Sequence, residues 1–526
     1  MTPSLTFHGA AGCVTGFCAR LTTDKANLLI DCGMFQGSKT LKALNYQPFP
    51  FDAAAVDGVL LTHAHIDHSG LLPKLMKAGF KGPIWSTAGT RDLCAVMLPD
   101  AGHIQESEVE QLNRRNQRRG RETVTPIFTA RDAVRCMDQF ERIKLGDLVE
   151  VAPGVKARWW NAGHIVGSAS IEVIVETDEG PMTLLFSGDL GPGGREFAAD
   201  PQGPAGVDHL IIESTYGGRE RAPMDPAGRR ALLAEAMTEA REAGGPLLIP
   251  AFAVERTQEL LADLLQVMED RRDLAGDIFL DSPLAIEATD VFLRRGWNPA
   301  LGRNPFEALH ASERLRFLKT PQESDSLERL RGWHVILAAS GMCDAGRVRR
   351  HLKRLLWRRD ATVLLAGFQA AGTLGRLLQE GVTPVRIQGD EIAVRARIRS
   401  LDVYSGHADA VALTAWAEAR RPVAGTVFIA HGEPDMSAAL AERLAAAGLE
   451  RIVRPELDES FALTRHEATP SKAPGARKLQ AAAAGLDWHN ERAALLGELN
   501  AALDRAPDDA ARKALLATLR GLIAAP

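Results

Sequence analysis

Three histidines and an aspartate crowd six consecutive positions, His63-Ala64-His65-Ile66-Asp67-His68, between the apolar run GVLLT and the segment SGLLPKLMKAG. The first run has the length of a strand, and the second has the apolar spacing of a helix. In extended chain, residues two apart point the same way, so His63 and His65 can share one cation. Asp67 and His68, at the turn into the helix, can face a second cation beside it. Imidazole with carboxylate suits Zn²⁺ best, and Mn²⁺, Fe²⁺ or Co²⁺ fit the same ligands. Two cations need more ligands than one hexapeptide offers. His164 in WWNAGHIVGS, Asp189 in LLFSGDLG and His431 in FIAHGE can supply them. Each follows an apolar run, which would hold it at a sheet edge over a cleft.

The rest of the chain gives this centre a setting. Apolar runs of strand length at 28–31, 59–62, 171–176 and 183–187 place a strand-rich unit in the first ~200 residues. From about 218 to 396 the rhythm becomes strand, loop, helix, four times over. The strand runs are 246–250, 278–280, 335–338 and 363–366, and each leads into an amphipathic segment. That pattern predicts a parallel sheet covered by helices, with ligands at the loops beyond the strand C-termini. Residues 397–466 return to the first pattern, with a strand at 426–430, so one domain is interrupted by another. The expected limits are 1–217 and 397–466 for the interrupted domain, 218–396 for the insertion and 467–526 for a helical extension behind a Pro/Ala/Gly/Lys linker.

At 526 residues, two or three domains are expected. The composition, 45% hydrophobic and 25% charged, is that of a globular protein with a sizeable core. A net charge of −5 provides no global positive field to draw in nucleic acid, so any polyanion site must be local. The N-terminus does not read as a signal peptide, and no run of about 18 apolar residues predicts a membrane span. Cys13, Cys18, Cys32, Cys94, Cys136 and Cys343 form no C-x-x-C pair. They read as reduced, mostly buried thiols of a cytoplasmic protein rather than disulfides or a zinc ribbon.

The order LLIDCG, THAHIDHSG, NAGHIVGS, FSGDLG resembles the metallo-β-lactamase superfamily. IIESTYG, YSGHAD and AHGE resemble the added motifs of its β-CASP branch of nucleic-acid-processing hydrolases, as do FAVERTQELL, SGMCDAGR and GFQAAGTLGR. The resemblance runs from residue 1 to about 466. It is nearest to bacterial proteins similar to the nuclease subunit of the cleavage and polyadenylation machinery, with ribonuclease J more distant. It implies an αββα metallo-β-lactamase sandwich with an inserted β-CASP α/β domain. It also implies that His63, His65 and His164 bind one metal, that Asp67, His68 and His431 bind the other, and that Asp189 bridges them. Asp31 would orient the ligand loop, His407 would be the general acid, and Glu213 would be hydrogen-bonded to it. A His at the position of His431 resembles the RNA branch, whereas the DNA branch has an apolar residue there.

Two metals about 3.5–4 Å apart can hold a bridging hydroxide and neutralise a phosphoryl oxygen, which suits phosphodiester hydrolysis. The alkoxide leaving group then needs a proton, and His407 is the natural donor. The expectation is therefore a metal-dependent ribonuclease with two Zn²⁺, RNA as partner, no membrane association, and a homodimer left open. The alternatives on the same fold are a thioester or lactam hydrolase, or a DNA nuclease. Arg114, Arg115, Arg118, Arg119 and Arg121 form one basic run, and Arg347, Arg349, Arg350, Lys353 and Arg354 form another. Such runs are usually solvated faces. The second is the better candidate for RNA, because Ser340, Gly341 and Met342 would open a helix whose amides bind phosphate, with Arg347 beside them.

Overall fold

Leu28 and Ile30 face one side of the strand Asn27–Ile30 and Leu29 faces the other, yet all three are fully buried. The period of two therefore marks a sheet covered on both sides. Strands His209–Glu213 and Val427–Ala430 behave alike. Ile211 and Phe428 join the same core as Leu28, while Leu210, Ile212, Val427 and Ile429 pack outward against Leu413, Trp416, Leu440 and Leu444. The two inner faces meet over Phe7, Trp159, Ile171, Phe186 and Phe461. Helices close both outer faces, which makes the predicted αββα sandwich of an eight-stranded and a seven-stranded sheet.

The computed structural model describes residues 2–472, apart from 38, 197, 223, 297–303, 305, 368 and 370–372, and then 477, 499, 502, 503 and 505–524. Among them, no helix is long and apolar enough to cross a membrane.

The insertion holds a six-stranded parallel sheet, and the four expected strands are Leu247–Pro250, Ile278–Leu280, Val335–Ala338 and Thr362–Ala366. All four are buried along their whole length, as a sheet flanked by helices on both faces requires. Two short edge strands escaped the sequence reading. Leu315–Phe317 pairs with Ile278–Leu280, and Arg397–Leu401 pairs with Thr362–Ala366. The second lies past the limit expected at 396, so the inserted sheet runs on to Leu401. The second edge strand carries arginines because Arg397 and Arg399 bond Glu239 of the helix Pro226–Ala243, which hides it from a hydrophobic pattern.

The expected extension at 467–526 also begins differently. Ala468–Lys472 is a strand that pairs with Ser460–Leu463 at the edge of the eight-stranded sheet. Most of the expected linker and the first helical stretch lie outside the described residues, while the second stretch is the helix Asp509–Ala524. Part of the loop GFQAAGTLGR, at 368 and 370–372, is likewise outside them.

Candidate metal centre and catalytic site

Strand register gathers the site. Ile30 is paired with Leu60 in parallel, so the chain leaves both strands at the same end, with Asp31 against Thr62. In the other sheet, parallel pairing of Phe186 with Ile211 and of Glu213 with Ala430 carries Asp189, Glu213 and His431 to that end too. Asp31 and His431 leave their strands with φ of 59° and 53°, a left-handed turn that costs about 1–3 kcal/mol at a non-glycine residue. Gly33 permits the close approach of the hexapeptide, since a Cβ there would lie 1.7 Å from the Asp67 carbonyl oxygen.

The seven expected ligands come together in two groups that share one end of the cleft. One ligand atom from each of His63, His65, His164 and Asp189 lies within 4.8 Å of the others, and so do those of Asp67, His68 and His431. Asp189 divides its oxygens between the groups. Its Oδ2 faces His63 Nε2 at 3.5 Å and His164 Nε2 at 3.8 Å, while its Oδ1 faces His68 Nε2 at 3.3 Å and His431 Nδ1 at 3.5 Å.

Outer partners decide which ring nitrogens carry protons. The Gly406 carbonyl can only accept, so His164 donates from Nδ1 at 2.7 Å and keeps its Nε2 lone pair facing inward. His68 donates from Nδ1 to Asp31 at 2.7 Å, which turns its Nε2 inward. Thr62 gives its hydroxyl proton to Asp31 at 2.7 Å, so its oxygen accepts from His63 Nδ1 at 3.0 Å. His63 Nε2 and Asp189 Oδ1 are then buried without a hydrogen-bond partner among the described residues. His68 Nε2 faces His431 Nε2 at 3.1 Å, and His164 Nε2 faces His65 Nδ1 at 3.1 Å. These inward-facing ring nitrogens, together with the Asp189 carboxylate, are a donor set that fits divalent metal.

Electrostatics point the same way. Burial, reinforced by neighbouring imidazoles, pushes His63 and His164 well below the usual histidine range, and burial pushes His65 down to about 4. Burial works to protonate Asp189, yet the charges of His431, His68 and His63 hold its carboxyl well below the usual range. Neutral imidazoles and ionised carboxylates are the forms that bind metal. His68 differs: despite burial, Asp189 and Asp31 push it well up, so a cation at its Nε2 must displace a proton.

His407 stands beside this centre. Its Nδ1 is 3.4 Å from Glu213 Oε1 and 3.9 Å from Asp189 Oδ2, and its ring lies 4.6 Å from that of His164. Burial acts to lower its pKa, but the charge and hydrogen bond of Glu213, together with Asp189, outweigh it and hold the imidazole above its ordinary value. Glu213 is itself anchored, accepting from Leu190 N at 2.7 Å.

The expected substrate contacts fare unevenly. Gly341 packs on Phe252, where a Cβ would come within 3.0 Å of the ring, and three residues further on Glu255 approaches Gly406. Gly341 thus packs against the loop that carries Glu255. Ser340, Gly341 and Met342 do not open a helix. Cys343 and Gly346 take positive φ of 67° and 70°, and the helix begins only at Val348. Arg347 is committed elsewhere. Its guanidinium serves the buried Asp281 at 2.6 Å and the carbonyls of Leu318 and Lys319 at 3.0 and 2.9 Å. Arg350, Lys353 and Arg354 of the same run pair with Asp325, Asp390 and Glu328. In the other run, Arg114 pairs with Glu110 at 2.6 Å at the exposed end of the helix Ala88–Arg118.

Sequence reasoning missed Thr62, the Gly406 carbonyl and Thr215, whose hydroxyl lies 3.2 Å from His431 Nδ1. Thr62 and Gly406 each adjoin a residue already singled out and Thr215 lies two beyond Glu213, which is the one signal that could have found them.

Family models match three segments of the chain. One for the metallo-beta-lactamase superfamily matches residues 11–235, one for the Beta-Casp domain matches 257–378, and one for a Zn-dependent metallo-hydrolase RNA specificity domain matches 391–455. A protein of Thermus thermophilus named as a ribonuclease is 34% identical over 84% of this chain and 96% of its own length. The chain belongs to the β-CASP branch of the metallo-β-lactamase superfamily. This β-CASP protein is also 30% identical to a transcription termination factor of Cenarchaeum symbiosum, over 88% of this chain and 71% of the relative. An RNase J-like protein of Methanocaldococcus jannaschii is 30% identical over 82% and 92% of the two chains. Membership makes this β-CASP chain a metal-dependent hydrolase with a divalent-metal site.

Proposed function

We propose that the protein is a ribonuclease that hydrolyses RNA phosphodiester bonds with two divalent ions, Zn²⁺ in the first instance, and with His407 as general acid. The observation that carries this reading is the division of Asp189 between two imidazole groups with His407 alongside. His63, His65 and His164 would hold one ion, Asp67, His68 and His431 the other, and Asp189 both. Such ions, when bound, supply Lewis acidity toward a phosphoryl oxygen and make the attacking water a stronger nucleophile.

The chain's own residues do the rest. Asp31 and Thr62 fix the tautomers of His68 and His63. Glu213 orients His407 and keeps it protonated, so that Nδ1 or Nε2 can deliver a proton to the leaving alkoxide. A thioester, whose thiolate leaves without a proton, needs no such donor with its own buried carboxylate. Ser340, Gly341 and Met342 would line the RNA path, without Arg347. The inserted domain would run from about 218 to 401 between the two parts of the metal domain. RNA as substrate draws on the RNA-specificity family model over 391–455 and on the relatives named as ribonucleases. The six cysteines, all free and buried, fit a cytoplasmic setting.

The test is digestion of RNA labelled at the 5′ end and, in parallel, at the 3′ end, by metal-loaded protein with and without chelator. Chelator-sensitive products from RNA are expected. Intact RNA beside active hydrolysis of a thioester would refute the reading.

A further inference from the structure

Behind the loop that carries His407 lies a buried lattice of charges which the reaction described above does not use. Its centre is Arg195, six residues beyond Asp189, with a side chain 5% exposed. The two terminal nitrogens of Arg195 go separate ways. Nη1 donates to Glu255 Oε1 of the inserted domain, and Nη2 donates to the Ser405 carbonyl, two residues before His407. Nη2 also lies 3.6 Å from Glu259. Glu259 and Asp263 are bridged in turn by Arg229, at 2.7 Å to each, and Asp263 accepts from the Tyr404 hydroxyl at 3.0 Å. Gly406, the residue after Ser405, leaves room for Glu255. A Cβ there would lie 3.3 Å from Glu255 Oε2 and 3.2 Å from the His164 ring. Tyr404, Ser405 and Gly406 are thus each met by this lattice, immediately before His407.

Stability alone is a poor account of such an arrangement. Desolvating five charges costs several kcal/mol per ion, and apolar packing of the same volume does as well or better. Glu255 also holds a φ of 74°, a conformation that costs a non-glycine residue about 1–3 kcal/mol and persists only where its surroundings enforce it. What the lattice provides is geometry. It joins a residue of the metal domain, a helix of the insertion and the backbone of the His407 loop by directional, charge-assisted bonds.

We propose that Arg195, held by Glu255, is a positioning residue for His407: it fixes the Ser405 carbonyl and so sets where the imidazole stands relative to the leaving group. The inference rests on His407 as proton donor, and its test keeps the two apart. Full-length, metal-loaded wild type is compared with Arg195→Met, Arg195→Lys, Glu255→Gln and His407→Ala. Each protein is assayed on a labelled RNA oligonucleotide and on bis(4-nitrophenyl) phosphate, whose leaving group needs no proton, and its metal content and thermal midpoint are measured.

Arg195→Met should keep the wild-type metal content and lose about 10²-fold on RNA, the scale of a small misplacement of a catalytic group, while changing only a few-fold on the nitrophenyl ester. Arg195→Lys should recover part of the RNA rate, because an ammonium reaches one of the two partners but not both. Glu255→Gln, nearly isosteric and gentler on the fold, should show the same selective loss in smaller measure. Equal losses on both substrates, loss of metal, or an unchanged RNA rate in Arg195→Met and Glu255→Gln would overturn the proposal. If those variants are unselective while His407→Ala loses RNA cleavage alone, the positioning role falls and the general acid stands. If His407→Ala is itself unselective, both fall.

Discussion

Asp31 accepts a 2.7 Å hydrogen bond from Nδ1 of His68, and this single contact turns His68 Nε2 toward Asp189. The carboxylate also accepts from the Thr62 amide and hydroxyl at 2.7 Å each, so it orders two ligand residues at once. Asp31→Ala frees both rings. Affinity for divalent metal should fall by about 10–100-fold, the usual effect of removing a carboxylate behind a histidine ligand. Competition against a chromophoric chelator reads this directly, and wild-type affinity in the variant would speak against the orienting role.

Asp189 is the residue common to both ligand groups. Asp189→Ala should therefore reduce metal at both sites, whereas His65→Ala should weaken one. Elemental analysis decides: two metals retained in Asp189→Ala would refute the bridging assignment.

The amount of this that could be read in the sequence follows from how locally each feature is encoded. The hexapeptide at 63–68 lies between a strand and a helix, so its geometry is set by neighbours in the chain. Asp189 and His431 could be placed because each follows an apolar run, and Glu213 through the family resemblance; parallel register does the rest. The edges resisted. Arg397–Leu401 and Ala468–Lys472 are strands made by hydrogen-bonding to a neighbour rather than by burial, and no periodicity announces them. The basic run after Gly346 misled for a related reason. Charge is visible in sequence, but the acids that consume it, Asp281, Asp325, Glu328 and Asp390, come from other elements. The lattice round Arg195 was invisible because its members are scattered from 195 to 405.

Asp458 gives a stability test at a distance from the metals. His8 bonds it at 2.8 Å and Arg477 pairs with it, and against the pull of burial these partners hold its carboxyl at about 2, compared with an ordinary 3.8. A depressed carboxylate stabilises the fold fully above about pH 4 and loses that contribution as pH falls toward 2. Asp458→Asn should thus be about 2 kcal/mol less stable than wild type at pH 6, with the gap closing between pH 4 and 2. Denaturant midpoints across that range check it, and a gap independent of pH would refute it.

Glu213 raises the pKa of His407, so the protonated donor persists above the ordinary histidine range and is lost as pH rises through the raised value. Glu213→Gln removes the charge but keeps a hydrogen-bonding oxygen. The basic limb of the RNA-cleavage profile should move to lower pH, with little change in metal content. An unmoved limb would mean that another group sets it.

The most direct measurement is the ratio of two rates in one variant. His407→Ala is assayed on labelled RNA and on bis(4-nitrophenyl) phosphate, with metal content determined on the same sample. The account predicts full metal, a loss of about 10²–10⁴-fold on RNA and a far smaller loss on the activated ester. Loss of metal with equal damage to both substrates would make His407 a ligand, and an unchanged ratio at lowered stability would make it structural; either result contradicts the account.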